Sequence, residues 1–315
     1  MKRLKIKQTA QLLLENDGYL ILCHRYPDGD TLGSAFALCR ALRTLGKKAS
    51  VMCADLIPPK FDYLFSDLAN DNFRIKNIVC VDVADPKLLG QGLENEYADR
   101  VLLCIDHHGS NTLYAENLLL DADAAATGEI MWNLIKNLGV TPDKKIAEAI
   151  YTAISTDTGC FRYSCTTPHT MRLAAELMAM GIDTVFINKV MFETKSKARI
   201  AVETALLSGL EYWYDGKVAV VSLTNEMIEQ AGAGEGDLDN IAPIPVRIEG
   251  VQVGVTMREN EEGFKVSVRT VPGINACEIC KNFGGGGHAA ASGCTIDMDL
   301  DMAKIELKQV IGRYI

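Results

Sequence analysis

Four short groups of hard metal ligands follow one another along this chain: His24-Arg25-Tyr26-Pro27-Asp28-Gly29-Asp30, then Asp82, then Asp106-His107-His108, then Asp157. Each acid alone has an ordinary reading. Asp28-Gly29-Asp30 could be a tight turn, Asp106 an Asx turn and Asp157 a helix end. The ordinary readings weaken when the groups are counted together. The chain has only five histidines, and three of them, His24, His107 and His108, stand beside these acids. Carboxylate and imidazole together suit Mn²⁺ or a related divalent ion. The chemistry predicted is that of a metal-dependent enzyme.

Those residues need elements that bring them together. Three of the groups follow short apolar runs, Tyr19–Cys23, Asn77–Val81 and Val101–Ile105, which read as buried parallel strands. Open α/β sheets bind ligands just beyond the carboxyl ends of their strands, so the ligands should converge at one sheet edge. Helices are expected over residues 8–16, over Thr31–Leu45 with a stop at Gly46, and near 127–138, 143–156 and 168–180. That alternation predicts a mostly parallel α/β sheet up to about Gly181.

The pattern then changes. Lys195–Leu210 reads as a helix leading out of the first domain. Strands follow at about 217–223, 251–258 and 264–270, and Asp297–Ile311 reads as a closing helix. Gly232–Asp239, rich in glycine and acid, reads as a loop. The division predicted is a first domain over 1–190, a linker helix over 191–212 and a smaller α/β domain over 213–315, with the metal cleft between the domains.

Bulk composition narrows the classes. The chain has 315 residues, 48% hydrophobic and 23% charged, with no apolar run long enough for a membrane span. The basic start, Met1 to Lys7, runs into Gln8, Thr9 and Gln11 rather than an apolar core, unlike a signal peptide. Ten cysteines are scattered, and Cys23, Cys80 and Cys104 fall inside apolar runs. That favours a reducing compartment, and a cytoplasmic location is expected. The net charge of −9 argues against a stable long nucleic-acid partner. It leaves open a small phosphorylated ligand, because two divalent ions would offset Asp28, Asp30, Asp82 and Asp157 locally.

The second half carries Gly284-Gly285-Gly286-Gly287-His288. Consecutive glycines can curl backbone N–H groups around an anion, or they can simply make a hinge or turn. Arg258 and Arg269 are nearby cations, and Arg269 is the preferred phosphate clamp because arginine binds phosphate bidentately. Cys277, Cys280, His288 and Cys294 could instead hold a structural zinc, although Cys277 and Cys280 also fit one helical turn facing a core. His169, after Thr166-Thr167-Pro168, reads as a residue of a helix start. Arg162 is open between a cleft position and a structural ion pair. Trp132 and Trp213 read as core.

Taken in order, the His24–Asp30 group, Asp82, Asp106-His107-His108 and Asp157 resemble the four motifs of the DHH phosphoesterase family. The glycine run with His288, continuing through Ala289–Gly293, resembles its DHH-associated C-terminal domain. Within the family the chain is similar to the bacterial nanoRNase/pAp phosphatase type, over nearly its whole length. The resemblance implies one ion held by His24, Asp28 and Asp82, and a second held by Asp30, Asp82, His107 and Asp157. Asp82 would bridge the two ions. It further implies that Asp106 orients an imidazole, that His108 faces the substrate phosphate or leaving oxygen, and that Gly285, Gly286, Gly287, His288, Arg269 and Arg258 hold the nucleotide. Asp82, Asp106 and His108 are thus the implied catalytic group, with two Mn²⁺ as cofactors.

The activity implied is hydrolysis of very short oligonucleotides to 5′-mononucleotides and removal of the 3′-phosphate of adenosine 3′,5′-bisphosphate. A phosphodiesterase for cyclic di-AMP or its linear dinucleotide is the nearest rival. A RecJ-like single-strand exonuclease is disfavoured by the acidic charge and short chain, and a family II pyrophosphatase by the glycine–histidine signature. A non-catalytic nucleotide-binding regulator would be expected to lack some ligands. The substrates expected as partners are short oligonucleotides, dinucleotides and adenosine 3′,5′-bisphosphate, with no membrane. A homodimer is compatible with all of this.

Overall fold

A computed structural model describes residues 1–68, 72–238 and 240–315. The chain divides into two compact units, Met1–Thr194 and Lys195–Ile315. The first contains β1 (Lys2–Arg3), α1 (Ile6–Glu15), β2 (Tyr19–Leu22), α2 (Gly29–Thr44), β3 (Ala49–Met52), β4 (Asn77–Val81) and α3 (Gln91–Tyr97). It continues with β5 (Val101–Asp106), β6 (Asn117–Leu120), α4 (Thr127–Asn137), α5 (Lys144–Asp157), α6 (Pro168–Ala179) and α7 (Thr184–Asn188). Its six strands lie in the order β1-β6-β5-β4-β2-β3, every pair parallel.

Alternating residues explain why both sheet faces are covered. Tyr19, Ile21, Val79, Val81, Leu103 and Ile105 face one core, which α2, α4 and α5 complete. Leu20, Leu22, Ile78, Cys80 and Cys104 face the other, closed by Leu89 and Tyr97. Trp132, expected in the core, is buried there.

The approach of α2 to α5 sets the site. Gly33 is where they meet: a Cβ there would lie 2.3 Å from the Ala149 carbonyl oxygen and 3.0 Å from the Ala153 nitrogen. The missing side chain lets the start of α2 and the end of α5 reach the same sheet edge. Gly33→Ala is therefore expected to cost about 1–3 kcal/mol through overpacking. Urea denaturation at constant slope reads this out, and an unchanged midpoint would contradict the close contact.

The second unit contains α8 (Lys197–Ser208), β7 (Glu211–Trp213), β8 (Val218–Leu223), α9 (Asn225–Ala231), β9 (Val253–Asn260), β10 (Gly263–Thr270), α10 (Ala276–Lys281), β11 (Gly286–His288), β12 (Ala291–Ile296) and α11 (Leu300–Ile311). The strand order is β11-β12-β10-β9-β8-β7, antiparallel except for β8 with β9. α10 and α11 pack on one face of this sheet, where Trp213 is also buried. The helix expected to lead out of the first domain is α8, and its Val202 and Leu206 pack against Val221 and Leu223 of the second sheet.

The stretch read as a loop from Gly232 forms a short 3₁₀ turn at Glu235–Leu238, and Asp239 lies outside the described residues. The strands β11 and β12 were not expected, because glycine, alanine and serine give little strand signal. Among the described residues, no helix is long and apolar enough to cross a membrane.

Candidate metal centre

β5, β4 and β2 are neighbours in the first sheet, so the residues after their carboxyl ends share one edge. Asp82 follows β4 and lies between the flanking groups. It is 3% exposed and holds a left-handed backbone at φ 61°, unusual for a non-glycine residue. One carboxylate oxygen is 3.8 Å from His24 Nε2, and the other is 3.8 Å from His107 Nε2 and 3.5 Å from His108 Nδ1. A single carboxylate therefore faces all three histidines of the motifs.

Asp28 caps α2, accepting from the N–H groups of Asp30 at 3.0 Å and Thr31 at 3.1 Å. Its Oδ1 also lies 3.6 Å from His24 Nε2. Asp30, in the first turn of α2, is fully buried. It accepts from the backbone N–H groups of Thr127 at 2.7 Å and Gly128 at 2.9 Å, and from Ser34 Oγ at 3.1 Å. His107 hydrogen-bonds through Nδ1 to the Ala124 carbonyl at 3.1 Å, which leaves Nε2 to face Asp157 Oδ2 at 3.3 Å and Asp30 at 3.8 Å. A carbonyl partner on one ring nitrogen is the usual way to aim the other at a metal.

Three groups place ligand atoms within 4.8 Å of one another: His24–Asp28–Asp82, Asp30–His107–Asp157 and Asp82–His107–His108. Ligand atoms bound at about 2.0–2.2 Å on opposite sides of an ion are roughly 4 Å apart, so the donor sets fit divalent cations.

Electrostatics agree with that fit. Burial, reinforced by Asp28, pushes Asp82 up to about 6. Burial and the charges of Asp82 and Asp157 push Asp30 well above the usual carboxylate range. Burial works against a charged His24, yet the hydrogen bond and charge of Asp28 lift it to about 9. Asp30 and Asp82 are thus harder to ionise than ordinary carboxylates, and a bound cation would oppose that shift.

Asp106 has a different task. It is fully buried. Its Oδ1 accepts from the backbone N–H groups of His107 at 2.8 Å and His108 at 3.1 Å and pairs with His108 Nδ1 at 2.8 Å, while Oδ2 accepts from Asn111 Nδ2 at 2.7 Å. The imidazole it orients is that of His108, which is half-exposed and lifted to about 9, chiefly by this hydrogen bond.

Residues beyond the motifs complete the centre. Thr127 Oγ1 donates to Asp82 at 2.8 Å while its backbone N–H donates to Asp30. The N-terminus of α4 thus points its free N–H groups at the buried anion. The helix start near 127 is legible in the sequence, whereas the anion it faces is set by the fold. Arg162 hydrogen-bonds to the Gly159 carbonyl.

In the second unit, the ladder places Arg269 opposite Ala291 and Ala291 opposite His288. Arg269 and His288 therefore share one sheet face, two strand spacings or roughly 9–10 Å apart. Arg269 is half-buried and donates to the carbonyls of Val268 at 3.0 Å and Ser292 at 3.5 Å. Among the described residues it has no carboxylate partner. Arg258 lies elsewhere: it pairs opposite Lys265, four residues or about 13 Å along β10 from Arg269. It forms a two-pronged ion pair with Glu235 at 2.5 and 3.1 Å. In this structure Arg258 is held by Glu235, while Arg269 is not.

Of the glycine run, Gly286 and Gly287 enter edge strand β11 with His288, while Gly284 lies in the preceding turn at φ 70°. Gly287 has φ 144°, and a Cβ there would lie 2.7 Å from the Ala291 carbonyl oxygen. Gly285 packs as closely against Gly293 and Cys294, whereas a Cβ on Gly286 would meet nothing within 4 Å. Cys280 and Cys294 are buried in the core and His288 is exposed. Among the described residues, the cysteines and His288 do not gather into a metal-binding group.

This fold and these strand-end ligands are those of a phosphoesterase-type hydrolase. The chain belongs to the DHH family: its N-terminal domain model matches residues 19–154, and the DHHA1 domain model matches residues 215–313. The chain is 35% identical to a bifunctional oligoribonuclease and PAP phosphatase, NrnA, of Thermus thermophilus, over 95% of this chain and 91% of that protein. It is 25% identical to the Bacillus subtilis protein of the same name, over 88% and 89% of the two chains. A solved exopolyphosphatase-related protein of Bacteroides fragilis superposes with a TM-score of 0.86 at 25% identity, covering 98% of this chain and 96% of that one.

Proposed function

We propose that this chain hydrolyses very short oligonucleotides to 5′-mononucleotides and removes the 3′-phosphate of adenosine 3′,5′-bisphosphate, using two Mn²⁺ ions. The observation that carries the reading is the pair of ligand sets, His24–Asp28–Asp82 and Asp30–His107–Asp157, with Asp82 facing both. The names of the Thermus and Bacillus relatives join the same two activities. When bound, the ions would acidify the attacking water and neutralise the attacked phosphate.

The chain's own groups do the rest. Asp82 holds the two sets in register. Asp106 fixes the His108 ring by its Nδ1 hydrogen bond, leaving Nε2 to donate to a phosphate or leaving oxygen. Attack in line with the 3′-oxygen releases a 5′-nucleotide.

Arg269 and His288 bind a second phosphate of the substrate, beside the exposed backbone of Gly286 and Gly287. Arg258, occupied by Glu235, takes no part in that contact. Arg269→Ala is expected to raise KM for a 5′-phosphorylated dinucleotide by roughly tenfold to a hundredfold, the cost of a charge-assisted contact, with kcat changed little. His288→Ala is expected to act in the same direction. Unchanged KM in both variants would remove the clamp assignment.

The reading as a whole is tested by comparing kcat/KM for a 5′-phosphorylated dinucleotide, a 20-mer, a cyclic dinucleotide and adenosine 3′,5′-bisphosphate at fixed Mn²⁺ and salt. The dinucleotide and the bisphosphate are expected to lead. A long strand needs many cationic contacts, which a net charge of −9 does not favour. A 20-mer turned over equally well would favour a processive exonuclease, and a leading cyclic dinucleotide would favour a cyclic di-AMP phosphodiesterase.

A further inference from the structure

Tyr26 stands in the loop between β2 and α2, two residues from His24 and two from Asp28. Consecutive Cα atoms are about 3.8 Å apart, so its backbone lies within roughly 8 Å of that of either ligand. This side of the metal centre is open: the Asp28 side chain is 55% exposed, while Asp30 and Asp82 are buried. Tyr26 itself is 62% exposed, so core packing does not account for the aromatic residue there. Its backbone is left-handed at φ 53°, a conformation costly for a bulky residue and one that gathers at functional sites.

Neighbouring segments hold that conformation in place. The Tyr26 N–H donates to Asp55 Oδ2 at 2.9 Å, the Arg25 N–H donates to the Leu88 carbonyl at 2.6 Å, and the Arg25 carbonyl pairs with His24 Nδ1 at 2.8 Å. The segments after β2, β3 and β4 are thereby tied together, and His24 keeps Nε2 toward Asp28 and Asp82. The Arg25 side chain runs beside Gly90 and lays its guanidinium over one face of the Tyr26 ring, 4.4 Å from the centroid, while Nη2 donates to the hydroxyl. With that face covered and the residue this exposed, the opposite face is open to solvent. Among the described residues Arg25 has no carboxylate partner.

A pinned aromatic ring with one free face is a stacking surface, and a ring already fixed loses little freedom when a second ring is laid on it. Every nucleobase offers such a flat face. Arg25 adds an unpaired positive charge at the rim, which suits a flat ring carrying an anionic tail. We propose that Tyr26, backed by Arg25, stacks against the base of the nucleotide whose phosphate the metal centre receives. The proposal rests on the reading of that centre as a nucleotide phosphohydrolase. Tyr26 thus selects for the presence and size of a base, purines over pyrimidines, and does not act on the phosphate.

Titration calorimetry of the full chain with Mn²⁺ compares AMP, UMP and ribose 5-phosphate, which share the phosphate and differ in the base. The parent is expected to bind AMP about tenfold or more tightly than ribose 5-phosphate, with UMP between them. Tyr26→Asn removes the ring and places a residue that tolerates the left-handed backbone. It should weaken AMP to the level of ribose 5-phosphate and leave ribose 5-phosphate itself unchanged. Tyr26→Phe, which keeps the ring, should restore the preference for AMP. With a 5′-phosphorylated dinucleotide, Tyr26→Asn should raise KM and change kcat little. The proposal is overturned by no binding at millimolar AMP, by AMP equal to ribose 5-phosphate in the parent, by parental AMP binding in Tyr26→Asn, or by equal loss of AMP and ribose 5-phosphate in that variant, which would mark a damaged phosphate site. A parent that prefers AMP but turns over neither dinucleotide nor bisphosphate would overturn the hydrolase reading alone. Turnover without a preference for AMP would overturn the stacking alone.

Discussion

Asp82→Ala is expected to lower kcat/KM by on the order of a thousandfold or more, equivalent to about 4 kcal/mol of barrier. Asp82 faces His24 on one side and His107 and His108 on the other. Its removal disturbs both ligand sets at once, whereas loss of Asp28 or Asp157 touches one. The fold should survive, because Asp82 contributes to the repulsion that lifts the buried Asp30 carboxyl. Its left-handed backbone is a separate cost for alanine, so Asp82→Asn, which tolerates that conformation, is the matched control. Both variants should retain a cooperative unfolding transition and lose the rise in Tm that Mn²⁺ gives the parent. Near-parental turnover by a folded variant at saturating Mn²⁺ would exclude the two-ion reading.

Asp106→Asn is expected to cost roughly a hundredfold in kcat, the lower range for loss of a positioned general acid. The carboxylate gathers two backbone N–H groups, the His108 ring and Asn111. An amide has one acceptor atom where the carboxylate has two, so the set cannot be kept.

The hydrogen bond to Asp106 is the main cause lifting His108 to about 9, so its loss lets the ring give up its proton at lower pH. The alkaline limb of kcat should therefore move toward acid in the variant. In metal-free protein the raised His108 value stabilises the fold fully below its unfolded value near 6.5, and that contribution disappears as pH rises through about 9. The variant should lose this alkaline-side dependence of Tm. An unshifted pH profile would separate His108 from the proton-donating step.

Much of the centre was legible in the chain because its ligands stand where a parallel strand must end. Tyr19–Cys23, Asn77–Val81 and Val101–Ile105 are short and apolar throughout, which only a strand covered on both faces explains, and the polar groups after them have nowhere to lie but the sheet edge. The structure bears this out with adjacent β5, β4 and β2. The helix starts were readable for a similar local reason: Asp28, Asp143 and Thr167 each cap the helix that follows.

What the sequence could not decide depended on partners distant in the chain. Thr127 and Gly128 meet Asp30 across nearly a hundred residues, and no local pattern marks a helix start as facing an anion. Arg269 was preferred over Arg258 as a clamp, but only the β9–β10 register showed how far apart along the ladder they lie, with Glu235 on Arg258. The glycine run was legible as special but not as strand β11, since residues without side chains leave strand and turn equally open until β12 pairs with them. Local spacing thus marked the candidate ligands and the strand ends beside which several of them lie. Tertiary packing alone decided which backbone N–H groups hold those ligands in place, because such groups are identical along the chain until a fold aims them.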